Sequence, residues 1–181
     1  MSTKKWLWYG GAVAGILFLV LGIFWRSERY PILTVNGVSI SARDYNEYMR
    51  GFERYRRLSG DPLDVGTVKR AALMSFVADA LVRSELERLG MGAAAEKDVE
   101  TALAANRTKL EKAASELYGW DVETFRRYTL DPQARQNALS RELEKEGKTL
   151  NGWLRGALLA ASVSVYGIPY EWSGGTLVEK K

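Results

Sequence analysis

The chain has 181 residues, with 26 Lys and Arg against 22 Asp and Glu, and it contains neither histidine nor cysteine. That absence removes imidazole acid/base chemistry, thiolate nucleophiles, disulfides and zinc sites of the Cys/His type, so no catalytic residue, metal or cofactor is expected. The first 25 residues hold Lys4 and Lys5 and no acid, which leaves 24 basic and 22 acidic residues in the remainder; so small a surplus, spread among alternating signs, is no nucleic-acid footprint.

Residues 6–25, WLWYGGAVAGILFLVLGIFW, are twenty consecutive uncharged residues. At about 1.5 Å per residue a helix of that length reaches roughly 30 Å, the hydrocarbon thickness of a bilayer. Trp6, Trp8 and Tyr9 lie at one end and Phe24 and Trp25 at the other, where amphipathic rings favour the headgroup region, and Lys4, Lys5, Arg26 and Arg29 close the flanks. A cleaved signal peptide is the rival reading, but its apolar run is shorter and ends at small residues, not at Phe24-Trp25-Arg26. The spacing therefore predicts a transmembrane anchor over 1–26. The flanking charges nearly balance, so they leave its orientation open. Gly11 and Gly15, with Gly22 seven residues on, form a smooth face that suits homodimerisation, although glycine is common in spanning helices for other reasons.

Two short apolar runs follow around Asn36-Gly37, a dipeptide that tolerates positive φ at both turn positions, and predict a hairpin over 32–40. Ser41, with Asp44 three residues on, opens a helix on which Tyr45, Tyr48, Phe52 and Tyr55 recur at helical spacing and which ends before Gly60-Asp61-Pro62. A long helix is expected from about 65 to 89, with Val68, Ala72, Phe76, Ala80 and Leu86 on an apolar face and Gly90 as its stop. A third runs from about 95 to 118 and closes at Gly119. Asp121 caps a short fourth, and Asp131-Pro132 restarts a fifth lasting to about Gly147, with Asp131 as cap and Pro132 at the first helical position. Thr149 caps a last helix that hands directly into Ser162-Val163-Ser164-Val165-Tyr166, an alternating strand. A lone strand leaves backbone groups unpaired, so this one is expected to pair with the distant hairpin at 32–40. The tail over 167–181 reads as loose beyond Tyr170–Trp172.

The fold class is thus mainly α: an anchor, then a helical bundle over 27–166 closed by a β-ribbon, then a tail. This order resembles the N-terminal chaperone domain of the SurA, PpiD and PrsA foldases. The resemblance is carried by Val35-Asn36-Gly37-Val38-Ser39-Ile40 before a helix, by Leu86-Glu87-Arg88-Leu89-Gly90-Met91 ending the long helix, by Glu96-Lys97-Asp98-Val99, and by Gly119-Trp120-Asp121-Val122-Glu123-Thr124-Phe125-Arg126. Trp153-Leu154-Arg155 with the strand 162–166 resembles the segment by which those foldases return to the domain. In the family a parvulin isomerase domain stands before that return; here only Gly147–Asn151 intervenes, so the resemblance implies a chaperone without isomerase activity.

Such a protein needs a reversible apolar surface guarded by charge. The candidates for contact with clients are Met49, Phe52 and Tyr55 on the first helix, Met74 on the second, and Tyr118, Trp120, Phe125 and Tyr128 around the break at 119–121, since Met and aromatic side chains adapt to varied apolar partners. Each also reads as ordinary core. The acidic sets Glu85 with Glu87, and Glu142, Glu144 and Glu146, are interleaved with Arg83, Arg88, Arg141 and Lys145 and read as surface ion pairs. The expectation is a single-pass cell-membrane protein whose extracytoplasmic domain holds unfolded or newly exported polypeptides. Its rival is a non-chaperone envelope scaffold that docks one protein partner; a degenerate isomerase is the third reading.

Overall fold

The computed structural model describes residues 28–60 and 64–180. The expected anchor over 6–25 and its glycine face lie outside these residues. Among the described residues no helix is long and apolar enough to cross a membrane.

The first hairpin forms where its turn dipeptide requires: strands β1 (Pro31–Val35) and β2 (Val38–Ser41) are joined by Asn36 and Gly37 with φ of 48° and 87°. Positive φ at both central residues twists the turn with the flanking strands, and Asn-Gly is the cheapest pair to place there. The far strand, β3 (Val163–Val165), lies antiparallel to β1 in the register Leu33↔Val165, Thr34↔Ser164 and Val35↔Val163, giving the sheet order β2-β1-β3. Asn36 N–H donates to Ser162 O and Tyr166 N–H to Ile32 O, both at 2.9 Å, which extends the ladder past each end of the strand. The chain is closed by this pairing of segments over a hundred positions apart, which satisfies backbone groups that a lone strand would leave unpaired.

The tail departs from its expectation. Instead of running loose, it forms a second hairpin, β4 (Tyr170–Ser173) with β5 (Thr176–Glu179), turned by Gly174 and Gly175 at φ of 57° and 81°. Leu177 and Tyr170 are buried against the main core, and that burial holds in place a segment whose glycines read as loose when taken alone.

Helix α1 (Ala42–Ser59) begins at Ser41, whose Oγ accepts from Asp44 N–H and donates to the Asp44 carboxylate at 2.6 Å, and ends at Gly60 in the left-handed region. Helix α2 (Val65–Arg88) is capped by Asp64, which accepts from Thr67 N–H at 2.8 Å. Helix α3 (Gly92–Ala113) is kinked at Asn106 and passes into a wide π turn, π1 (Ala114–Tyr118), before Gly119. The single turn α4 (Val122–Phe125), capped by Asp121, runs through a second π turn, π2 (Arg126–Leu130), into α5 (Asp131–Lys145). Asp131 is therefore not a cap: Leu130 before it is already helical, and its carboxylate instead accepts from Arg126 Nε at 3.3 Å. Pro132 has no N–H to contribute, so it fits where the helical ladder slips from π to α spacing. Thr149 caps α6 (Leu150–Ala160), accepting from Gly152 N–H.

The long helix packs on more than one face. Leu73, Val77, Ala80 and Leu81 of α2 meet Leu33, Val35 and Ile40 of the sheet; Val82 and Leu86 meet Val99 and Leu103 of α3 with Ala138, Leu139 and Leu143 of α5; Val68 and Ala72 meet Met49 of α1. A helix enclosed on several sides carries apolar residues around its circumference, which is why α2 is the axis of the bundle and not a surface helix.

Candidate functional site

The spacing of Tyr48, Phe52 and Tyr55 puts three rings in a stripe along α1. Facing it across the bundle are Phe76 of α2, Tyr118 at the end of π1, Trp120 just past the Gly119 turn, and Tyr128 in π2. The rings meet in sequence: Tyr55 stacks on Tyr118 at 5.1 Å, Tyr118 on Trp120 at 4.7 Å, and Tyr48 on Phe52 at 5.9 Å, while Tyr48 meets Phe76 and Tyr128 edge-on at 5.4 and 5.8 Å. Offset stacks and edge contacts at these separations each contribute about 0.5–1.5 kcal/mol beyond area burial.

The two π turns bring Tyr118 and Tyr128 into this set. One residue more per turn rotates the downstream side chains about the helix axis, and such turns recur at functional sites. Close approach is secured at Gly51: a Cβ there would overlap the Trp120 indole, so only glycine lets α1 lie beneath that ring. The indole Nε1 donates to Glu47 O at 3.4 Å, and Arg54 reaches from α1 to Glu116 O at 3.3 Å.

Above the rings opens a groove of about 590 Å³, floored by Tyr48, Phe52, Phe76, Tyr118, Trp120 and Tyr128 and bounded on one side by Val38, Ser39 and Ile40 of β2. Its other walls are charged. Arg135 makes a two-pronged contact with Asp79, Nε to Oδ1 and the second nitrogen to Oδ2, both at 2.9 Å. Arg127 lies 3.7 Å from Glu47 and 3.9 Å from Asp44, and Tyr128 OH donates to Glu47 Oε2 at 2.9 Å. Arg83 lines the same groove and makes no ion pair with any described residue.

Burial pushes the Tyr128 phenol above its ordinary value, and the hydrogen bond to Glu47 adds to the shift; burial does the same for Tyr48 and Tyr118. The phenols therefore stay neutral hydrogen-bond donors to higher pH than an exposed tyrosine. Among the described residues no group of three or more Asp and Glu is placed to hold a metal ion.

The sequence candidates divide by depth. Phe52, Tyr118 and Tyr128 are half-buried with faces on the groove, and Tyr55, 36% exposed, extends the stack to the surface. Trp120 and Phe125 are buried beneath it, Trp120 still reaching the floor. Met49 is buried against Val68 and Ala72, and Met74 packs on the sheet core, so neither lines the groove. Sequence reasoning missed Tyr48 and Phe76 as groove residues, although both were legible as members of helical apolar stripes. It also missed the charged wall, where Asp79 with Arg135 and Asp44 with Arg127 join residues more than fifty positions apart. The acidic sets behave as surface pairs: Glu85 with Arg88 at 2.7 Å, Glu142 with Lys145 at 2.5 Å and Glu146 with Lys148 at 2.7 Å.

No known protein family, curated protein or solved structure matches the chain.

Proposed function

We propose that this protein is a membrane-anchored chaperone of the SurA N-terminal type, which holds unfolded or newly exported polypeptides without altering their bonds. The observation that carries the reading is the groove: an aromatic floor with a charged rim, its volume within the roughly 300–1,000 Å³ range of binding clefts, large enough for a few side chains and too small for a folded domain. Stacking platforms accept varied apolar side chains because every ring presents the same face, whereas the charged rim keeps the groove hydrated and discourages self-association. The uncharged run 6–25 supports a tether to the lipid, and the resemblance to exported foldases supports an extracytoplasmic domain.

Only four residues separate α5 from α6, so the internal position that an isomerase domain occupies in those foldases holds a tight connection here, which supports binding without prolyl turnover. A second reading, an envelope scaffold with one defined partner, is favoured by α6, where the apolar Leu159 remains 65% exposed.

The test uses the full chain in lipid nanodiscs. At stoichiometric ratios it should suppress aggregation of several unrelated unfolded proteins, and a photo-crosslinker replacing Gln136 on the groove wall should capture them, while one replacing Thr101 on α3 should not. No suppression together with a single tight partner favours the scaffold, and a proline-peptide turnover rate above background would overturn the non-enzymatic assignment.

A further inference from the structure

The three-stranded sheet leaves one of its edges at the mouth of the groove, and we propose that this edge, β2, receives an extended segment of the bound polypeptide as an added strand, with an acidic side chain of that segment engaging Arg83. The inference rests on the groove being the polypeptide site and specifies how the segment lies in it.

The register decides which backbone groups are available. Val35 and Val38 flank a two-residue turn and so exchange hydrogen bonds with each other, which makes the next pair, Thr34↔Ser39, a pair that does not. Thr34 turns its groups the other way, toward β3; the bonds from Asn36 to Ser162 and from Tyr166 to Ile32 place the even-numbered residues of β1 on that side. By the same alternation Ser39 directs its N–H and C=O away from β1, where no strand of the described residues lies. A buried edge of this kind would need covering, but this one faces the groove and takes its partner from outside.

The side chains agree with the backbone. Val38, Ser39 and Ile40 all border the groove, and Val38 is 37% exposed although it shares a sheet face with the buried Leu33, Val35 and Ile40. A strand laid about 4.8 Å from β2 covers Val38 and turns alternate side chains over the aromatic floor. Because β2 is only four residues long, its main-chain bonds set the direction and register of the guest, while affinity comes from the rings.

Charge then selects the guest. Each carboxylate on the groove wall already has a guanidinium: Asp79 has Arg135, Asp44 has Arg127 and Asp131 has Arg126. Of the three arginines that line the groove, Arg127 and Arg135 each contact a carboxylate while Arg83 makes no ion pair with any described residue, so the complement of this wall is an extended segment with apolar residues at alternate positions and a carboxylate among them.

The experiment measures anisotropy of a short fluorescent peptide, alternating Thr and Phe with one Glu, on the full chain in nanodiscs. A strand offers its N–H groups to opposite edges at odd and even residues, so two N-methylated isomers separate main-chain pairing from ring contact. One isomer should bind about tenfold more weakly or worse and the other like the parent. Ser39→Pro, which removes only the outward donor, should reproduce the loss, with circular dichroism reporting its fold. Arg83→Glu should weaken the Glu peptide and spare its Gln counterpart. Equal effects of the two isomers overturn the added strand while leaving the groove reading intact. Equal loss of the Glu and Gln peptides on Arg83→Glu overturns the acidic contact. A peptide that fails to bind at all overturns both this inference and the proposed function.

Discussion

Gly51→Ala tests the packing that builds the groove. In an exposed helix the change stabilises by about 1 kcal/mol, because alanine loses less backbone freedom. Here the new methyl would fall inside the Trp120 indole, with Cε2, Cζ2 and Nε1 as its nearest neighbours, so the ring must move. Overpacking of a filled site costs about 1–3 kcal/mol. Moving the indole also disturbs its stack on Tyr118 at 4.7 Å, worth about 0.5–1.5 kcal/mol. The helix gain offsets only part of this, and the net expectation is a loss of about 1–3 kcal/mol, or a Tm lower by roughly 3–10 °C for a domain of this size. Thermal denaturation followed by circular dichroism reads the shift. The sharper measurement is the double-mutant cycle: in a Trp120→Ala background the space above position 51 is free, so the same Gly51→Ala change should stabilise. A Gly51→Ala protein as stable as the parent, or the same sign of effect in both backgrounds, would refute the claim that the indole sits against α1.

Three further perturbations probe the same geometry. Ser164→Pro should lose about 1–3 kcal/mol, since it removes the donor opposite Thr34 and leaves that carbonyl unpaired, whereas Ser39→Pro should cost far less in stability; equal Tm losses in differential scanning calorimetry would contradict the register. Asp79→Ala strands the Arg135 guanidinium, which is only 16% exposed, and should destabilise by about 1–3 kcal/mol, while the double change with Arg135→Met should recover part of the loss in urea denaturation. Burial raises the Tyr45 phenol from 10.0 to about 12, with nearby Tyr170 and Glu53 adding to the shift, so folding favours its neutral form. That contribution is complete below pH 10 and is lost as pH rises toward 12, because the unfolded chain ionises first; spectrophotometric titration should show Tyr45 ionising late, and a Tyr45→Phe protein should lose less stability over that interval.

The helices were legible because their signals are local. Ser41, Asp64, Asp121 and Thr149 each accept from an N–H three residues on, and Gly60, Gly90 and Gly119 stand at helix ends in the left-handed region, so these boundaries depend on neighbours and not on the fold. Asp131 misled for the same reason. Its cap signature is real chemistry, but the chain arrives at it already helical through π2, and a residue within a helix has no free N–H groups to cap. The tail misled because glycines mark a turn as readily as a loose end, and only the burial of Leu177 distinguishes the two. Of the groove, the aromatic stripe on α1 could be read from spacing; the Asp79–Arg135 wall could not, since nothing local couples α2 to α5.

Local signals along the chain settle its helices and its first three strands, where most of them begin and stop, and that the strand after α6 must find a distant partner, because backbone hydrogen bonding and side-chain periodicity act over a few residues. It took the packed fold to settle which faces of α2 meet which neighbours, that Met49 and Met74 are packing while Phe76 and Tyr48 line a groove, and that the free edge of β2 opens onto it. Those outcomes depend on the relative placement of elements far apart in the chain, which is set by the joint packing of all their apolar surfaces and has no signature in any one of them.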